Sequence, residues 1–242
     1  MFTYIWHTIF FDPVYNGLVF FIDVIPGGDV GLAIIATVAV VKLILFPLSI
    51  KAVKTQKLMK ELEPKLKAIK AEFKDKREEQ AKAMMEVYKE AGMNPFASIL
   101  LIFIQLPFVI ALYLAVSKGG GVILPQINTE ILYSFIPNPA LASMNFLGQI
   151  DITGKNLPLA LLAGITQFIS MYFAMPALPP KVDGAPADFK DDFMRNMQLQ
   201  MKYVMPIMIV FIAYTFSAAI ALYFVVSNVV TLIQEIFVRK HR

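Results

Sequence analysis

The chain has 242 residues, 57% hydrophobic and 17% charged, with a mean hydropathy of +0.63 and a formal net charge of +4. Soluble domains carry about 45–50% apolar and about 25% charged residues, and a core of this size cannot hide the excess. The composition excludes a disordered chain, a nucleic-acid module and an ordinary soluble enzyme, and points to an integral membrane protein. Cysteine is absent, and the two histidines, His7 and His241, stand near opposite ends. Disulfides, thiolate metal sites and cysteine nucleophiles are thereby excluded, and neither a metal nor a cofactor is expected.

Residues 1–29 are apolar, hold three acids and no Lys or Arg, and lack the basic start and cleavage site of a signal peptide. Asp12-Pro13 interrupts their pattern. They read as an external interfacial segment of short pieces lying on the membrane surface, with an additional span as the alternative. Residues 30–50 make a first span, with Lys42 as its one charge. Residues 51–94 are a soluble segment with twelve basic residues. Residues 95–117 form a second span, 118–156 an external loop with Pro137-Asn138-Pro139, 157–175 a third span, and 176–202 a second soluble loop. The apolar run 203–238 would make a rod of about 54 Å, against a hydrocarbon core of about 30 Å. A turn near 215–219 divides it into spans 203–216 and 217–238, and residues 239–242 remain as a short basic tail.

Five spans place every basic-rich segment on one side. Residues 51–94, 176–202 and 239–242 carry twelve, four and three Lys or Arg, and 118–156 carries two. Positive charge accumulates inside, so the N-terminus is expected outside and the C-terminus in the cytosol. In the soluble segment, Leu58, Leu62, Leu66, Ile69 and Phe73 step at helical spacing, and Ala81, Met84, Met85 and Tyr88 make a second stripe. Pro64 is expected to kink or restart the first helix. The expectation is an antiparallel cytosolic helical hairpin, either a solvated connector or a docking arm for nascent chains or ribosomes.

Lys42 lies about 13 Å from Lys51 along a helix. A lysine in mid-span costs about 2.5–3.5 kcal/mol, and its side chain is too short to reach the interface from there. It therefore calls for a polar or watered neighbourhood. Gln105 lies in the second span, and Thr166, Gln167 and Ser170 lie in the third. Tyr223, Ser227, Thr231 and Gln234 step by 4, 4 and 3 on one face of the last span, with Asn228 beside them. Singly these read as helix–helix hydrogen bonds; together with Lys42 they suggest a polar cavity that attracts acidic groups. Met194, Met197, Met201, Met205 and Met208 form a stripe that reads as core packing.

These residues resemble the YidC-type membrane protein insertases, related to the mitochondrial and chloroplast oxidase-assembly insertases. The resemblance is carried by Lys42-Leu-Ile-Leu-Phe-Pro47-Leu48, Lys57-Leu-Met, Leu62-Glu-Pro64-Lys-Leu66, Asn94-Pro95 with Gln105-Leu-Pro107-Phe, Met205-Pro206, and Ala221-Leu222-Tyr223-Phe-Val-Val-Ser227-Asn228 with Gln234. It implies an all-α polytopic membrane protein: five transmembrane helices around a cytosol-facing hydrophilic groove, with a cytosolic helical hairpin. It further implies insertion of small membrane proteins without nucleotide hydrolysis, alone or with the Sec translocon. A groove cation, usually Arg, corresponds to Lys42; Tyr223 and Phe224 correspond to client-contact positions. The groove set is then Lys42, Gln105, Gln167, Ser170, Tyr223, Phe224, Ser227, Asn228, Thr231 and Gln234, and the recruiting set on the hairpin is Leu62, Pro64, Leu66 and Tyr88.

Lysine keeps the charge of that Arg but loses its planar fork, Ser217-Ala218-Ala219 stands where the family has a Pro-small-Gly turn, and the short tail argues against strong tail-mediated ribosome binding. Expected partners are nascent membrane proteins, the lipid bilayer, the ribosome and the Sec translocon, in a bacterial cell membrane. Catalytic residues and specific nucleic-acid binding are not expected. The competing reading is a small-solute transporter or channel, which would call for internal repeats or rings of charge; neither stands out in the sequence.

Overall fold

The computed structural model describes residues 2–73, 76–92, 97–117, 121–174 and 199–240. They are overwhelmingly helical; the strands are a two-residue pair, β1 (Asn145–Phe146) and β2 (Ile150–Asp151), antiparallel to each other. Thr3–Val24 and Ala218–Val238 are long and apolar enough to cross a membrane, and Val30–Ile44 with Phe46–Thr55 qualifies as a broken pair. Phe103–Ser117, Leu157–Phe173 and Gln200–Thr215 are apolar but shorter. The molecule is an all-α membrane protein, as its composition requires. Asn94-Pro95, Lys118, Met194, Met197, most of the 176–202 loop and the last two residues lie outside the described residues.

The chain divides into two units, Met1–Ile44 with Leu106–Ile233, and Leu45–Gln105 with Gln234–Arg242. The first begins with α1 (Phe2–Ile5), a π-helical segment Trp6–Phe11, and α2 (Asp12–Val24). The backbone therefore stays helical through Asp12-Pro13, where separate short pieces were expected. Pro13 sits in the first turn of α2, and the π turns before it re-space the carbonyls its ring would otherwise strike. Helix α3 (Val30–Ile44) stops at Leu45, and α4 (Phe46–Glu72) begins there. The expected first span is thus two helices. Pro47 cannot donate to the carbonyl of Leu43, so the helix restarts with the proline in its first turn.

Next come α5 (Arg77–Glu90), α6 (Ala97–Ser117) and α7 (Leu157–Ala174). A π-helical segment, Gln200–Val204, leads into α8 (Met205–Thr215). Phe216 and Ser217 separate it from α9 (Ala218–Lys240), inside the turn region read from the sequence.

The core of the first unit gathers Phe11, Tyr15, Leu18 and Ile22 of α2, Val30, Ala33 and Ile34 of α3, Ala111 and Ala115 of α6, and Leu222 and Tyr223 of α9. A second cluster joins Ala160 and Ala163 of α7, Ile209 and Ala213 of α8, and Ala218 and Ala221 of α9. Small residues let membrane helices approach closely, and Gly164 shows how closely: a Cβ there would strike the Val210 side chain. The methionines of α8 are not in this core. Met205 and Met208 are 39% and 47% exposed, because Pro206, Ile209 and Ala213 form the buried face.

The second unit contains the helical hairpin of α4 and α5. Leu66 and Tyr88 are buried in its seam, flanked by Leu58, Leu62, Met84, Val87 and Ala91. Helix α4 runs through Pro64 without restarting; the proline is exposed, so its ring disturbs no packed neighbour. The second stripe is shifted from the expected one. Ala81 and Met85 are exposed, and Gln80 is buried in line with Met84, Val87 and Ala91. Steps of 4, 3 and 4 define that face.

Candidate functional site

Helix α9 carries the polar stripe. In the first unit Tyr223 and Ser227 are buried, at 6% and 4% exposure, and Thr231 is half-buried. Helix α3 brings Lys42 to this stripe. The side chain is only 6% exposed, and its Nζ donates to the Thr231 hydroxyl at 3.0 Å. Thr231 in turn donates to the carbonyl of Ser227 at 2.7 Å. One hydroxyl therefore accepts from an ammonium and passes its own proton to a backbone oxygen one turn away. Hydrogen bonds to charged groups contribute about 1.5–3 kcal/mol, comparable to the cost of placing a lysine in an apolar helix.

A second polar level lies between α7 and α9. Asn228 donates to the Ala163 carbonyl and to the Thr166 hydroxyl, each at 3.4 Å. Both are at the long end of hydrogen-bond distances. Thr166 also bonds back to the Leu162 carbonyl at 2.9 Å. Gln167 and Ser170, further along α7, are buried at 8% and 2%. Between the two clusters stands Phe224, half-buried, edge-on to Tyr223 with ring centroids 5.5 Å apart. Tyr223 also borders a crevice of about 10 Å³ with Thr37, Val38, Val41 and Phe108, room for about one water.

The structure thus joins Lys42, Thr231 and Ser227 in one set and Asn228 with Thr166 in another. Gln105 (half-buried) and Gln234 (7% exposed) belong to the second unit, as do Leu62, Pro64, Leu66 and Tyr88 of the hairpin. Burial raises the Tyr88 hydroxyl above its ordinary pKa, so it stays neutral near neutral pH. Glu235 is also buried in the second unit, at 3%; its position near a helix end gave no sign of that. Among the described residues no group of His, Asp or Glu is arranged to hold a metal.

Two residues outside the polar set order the first unit, and sequence reasoning assigned neither. Asn16 is 1% exposed. Its amide donates to the carbonyls of Asp12 and Ile131, both at 2.9 Å, and its oxygen accepts from the Tyr133 N–H at 2.7 Å. Asp29 caps α3. An Asp directly before an apolar helical run is the signal that identifies such a cap.

Around the site the exposed surface is apolar. Leu161 and Ile165 of α7 and Ile207 and Phe211 of α8 are 47%, 55%, 69% and 70% exposed. Lys155 lies 5.7 Å from the Tyr214 ring centroid, and Lys202 lies 4.4 Å from that of Tyr172. Cations paired with aromatic rings suit the border between lipid and water.

A family model described as "60Kd inner membrane protein" matches residues 21–242. Among curated relatives, the chain is 31% identical to "Membrane protein insertase YidC" of Oceanobacillus iheyensis, across 98% of this chain and 84% of that protein. It is 30% identical to "Membrane protein insertase YidC" of Clostridium tetani, across 89% and 84%. It is 29% identical to "Membrane protein insertase YidC 2" of Bacillus anthracis, across 98% and 82%.

Proposed function

We propose, from the premise that this chain belongs to the 60Kd inner membrane protein family of YidC insertases, that Lys42 is the working cation of a client-insertion groove. The observation that carries the reading is the Lys42–Thr231 contact, which holds a buried ammonium on the face of α9 that bears Ser227 and Tyr223.

The mechanism follows from the parts. The short hydrophilic end of a nascent membrane protein enters from the cytosol among Lys42, Thr231, Ser227, Asn228, Gln167 and Ser170 of the first unit. Lys42 attracts its acidic groups; in a low-dielectric setting one charge pair outweighs many surface pairs. The client's apolar segment moves along the exposed faces of α7 and α8. Tyr223 and Phe224 contact it. Transfer of that segment out of water supplies the driving force, about 25 cal/mol per Å² of apolar surface buried. No covalent step is involved and no nucleotide is consumed.

In this reading the protein has five spans, with the N-terminus outside and the C-terminus in the cytosol of a bacterial cell. The α4–α5 hairpin is the cytosolic arm that recruits nascent chains or ribosomes, through Leu62, Pro64, Leu66 and Tyr88. The protein acts alone or beside the Sec translocon.

The test is insertion of a small single-span client into liposomes that contain only this protein and no nucleotide. Protease-protected client above the level of empty liposomes supports autonomous insertion. Insertion that appears only when the Sec translocon is added would assign the chain a helper role. Solute flux through the same vesicles without client insertion would replace the insertase reading with a transporter.

A further inference from the structure

One loop segment ties down the starts of two helices. Asp29 is 8% exposed, and its Oδ1 caps α3 by accepting the Leu32 N–H at 3.0 Å. Its Oδ2 accepts the N–H of Leu147, in the turn between β1 and β2, at 2.7 Å. The Val30 N–H donates to the Ser143 carbonyl at 3.0 Å, and the Ser143 N–H donates to the Gly28 carbonyl at 2.7 Å. At the start of α9, the Ala218 N–H donates to the Gly154 carbonyl at 2.8 Å and the Ala219 N–H to the Ile152 carbonyl at 3.0 Å. Residues 143–154 thus satisfy the first amides of both α3 and α9, which a helix cannot satisfy by itself.

The fit leaves no slack. Gly28 has φ +62°, and a Cβ there would strike the Leu141 carbonyl; a Cβ at Gly31 would strike the Phe146 ring.

What lies downstream gives the tie its meaning. Lys42 is twelve residues beyond Val30, and Thr231 is thirteen beyond Ala218. At 1.5 Å per residue these are arms of about 18 and about 20 Å. Two nearly equal arms leaving one anchored segment bring the ammonium and the hydroxyl to the same level.

We propose that residues 143–154, held by Asp29, set the register of α3 against α9 and thereby place Lys42 on Thr231. Asp29 is a positioning residue for the groove. Its consequence for insertion rests on the role proposed for Lys42; the register does not.

The chain has no cysteine, so introduced thiols report without background. Lys42→Cys with Thr231→Cys, bridged by a bifunctional thiol reagent of lysine-like reach, reads the native register. Lys42→Cys with Ser227→Cys reads a slip of about one turn. Two variants separate the tie from the cap. Asp29→Asn and Asp29→Ser each retain an acceptor for Leu32, and each lacks the second acceptor for Leu147. Both are expected to lower the 42–231 cross-link at least about threefold and raise the 42–227 cross-link. Client insertion should fall in the Lys42 protein and fall no further in Lys42→Ala. Unchanged cross-linking in both variants would overturn the proposal. So would equal loss of insertion in both backgrounds, or disappearance of both variants from the membrane, since each assigns Asp29 to folding alone. If the wild-type chain inserts no client at all, the proposed function fails and the cross-link result still decides the register.

Discussion

The two units differ in how firmly they are held. In the first, α2, α3, α6, α9 and the 121–156 segment share one buried cluster, with Phe11, Leu18, Val30, Ile34 and Ile152 at 1% exposure or less. Asn16 and Asp29 add polar ties across long stretches of sequence. In the hairpin of the second unit, the cluster is Leu66 and Tyr88 with partly buried neighbours. In the proposed function, the first unit holds the polar groups of a groove at fixed positions while clients change, and the hairpin is an arm that gains from being able to open. Local stability tracks the buried apolar contacts a segment makes, and the described part of the hairpin seam stands lower on that scale than the core of the first unit.

The largest effect expected from breaking this contrast is in the first unit. Ile34→Ala removes a side chain with no exposure and should cost about 2–5 kcal/mol. It should appear as a lower melting temperature in detergent and faster amide exchange throughout α2, α3 and α6. Asn16→Ala should follow at about 1–3 kcal/mol, because the Tyr133 N–H and Ile131 carbonyl lose their partner. Exchange should rise first in residues 128–136. Tyr88→Ala should cost about 2 kcal/mol, confined to the hairpin. Exchange in α5 should rise while α2 and α3 stay protected. A uniform rise would mean that the hairpin is not a separable arm.

The smallest effect is electrostatic. Asp151, mostly exposed, accepts from the Thr153 hydroxyl at 2.7 Å and its N–H at 2.9 Å. These bonds hold its carboxyl below the ordinary value of 3.8. A carboxylate with a lowered pKa stabilises the folded form above its unfolded value and loses that contribution as pH falls through the folded value. The gap in melting temperature between wild type and Asp151→Asn should therefore be present at pH 7 and close below about pH 3.8.

Much of the helical layout was legible because apolar runs and turn residues are local signals. The break between Thr215 and Ala218 falls where length alone required one. Leu58, Leu62 and Leu66 kept their helical face for the same reason. The other side of the seam was misread at Ala81 and Met85. Met84 and Tyr88 fit two neighbouring faces, and the correct one includes Gln80, a polar residue that composition does not mark as buried. At Met205 and Met208 the stripe was misassigned: its period is real, but the neighbouring face of α8, with Pro206, Ile209 and Ala213, is the buried one. Lys42 and the α9 stripe could be paired as candidates, since a cation in an apolar helix demands partners; that Thr231 is one of them needed coordinates. The ties from residues 121–156 were illegible. They join groups far apart in sequence, from Gly154 with Ala218 to Asp29 with Leu147, and no period records them.

The most direct test of the account measures client insertion by liposomes containing wild type, Lys42→Ala or Lys42→Arg, with a client whose leading segment is acidic and one in which it is neutral. Loss of one charge-assisted interaction predicts about a tenfold drop for Lys42→Ala with the acidic client. Lys42→Arg should restore most of it, and the neutral client should change little. Equal insertion of the acidic client by all three proteins would contradict the account and leave Lys42 a structural residue.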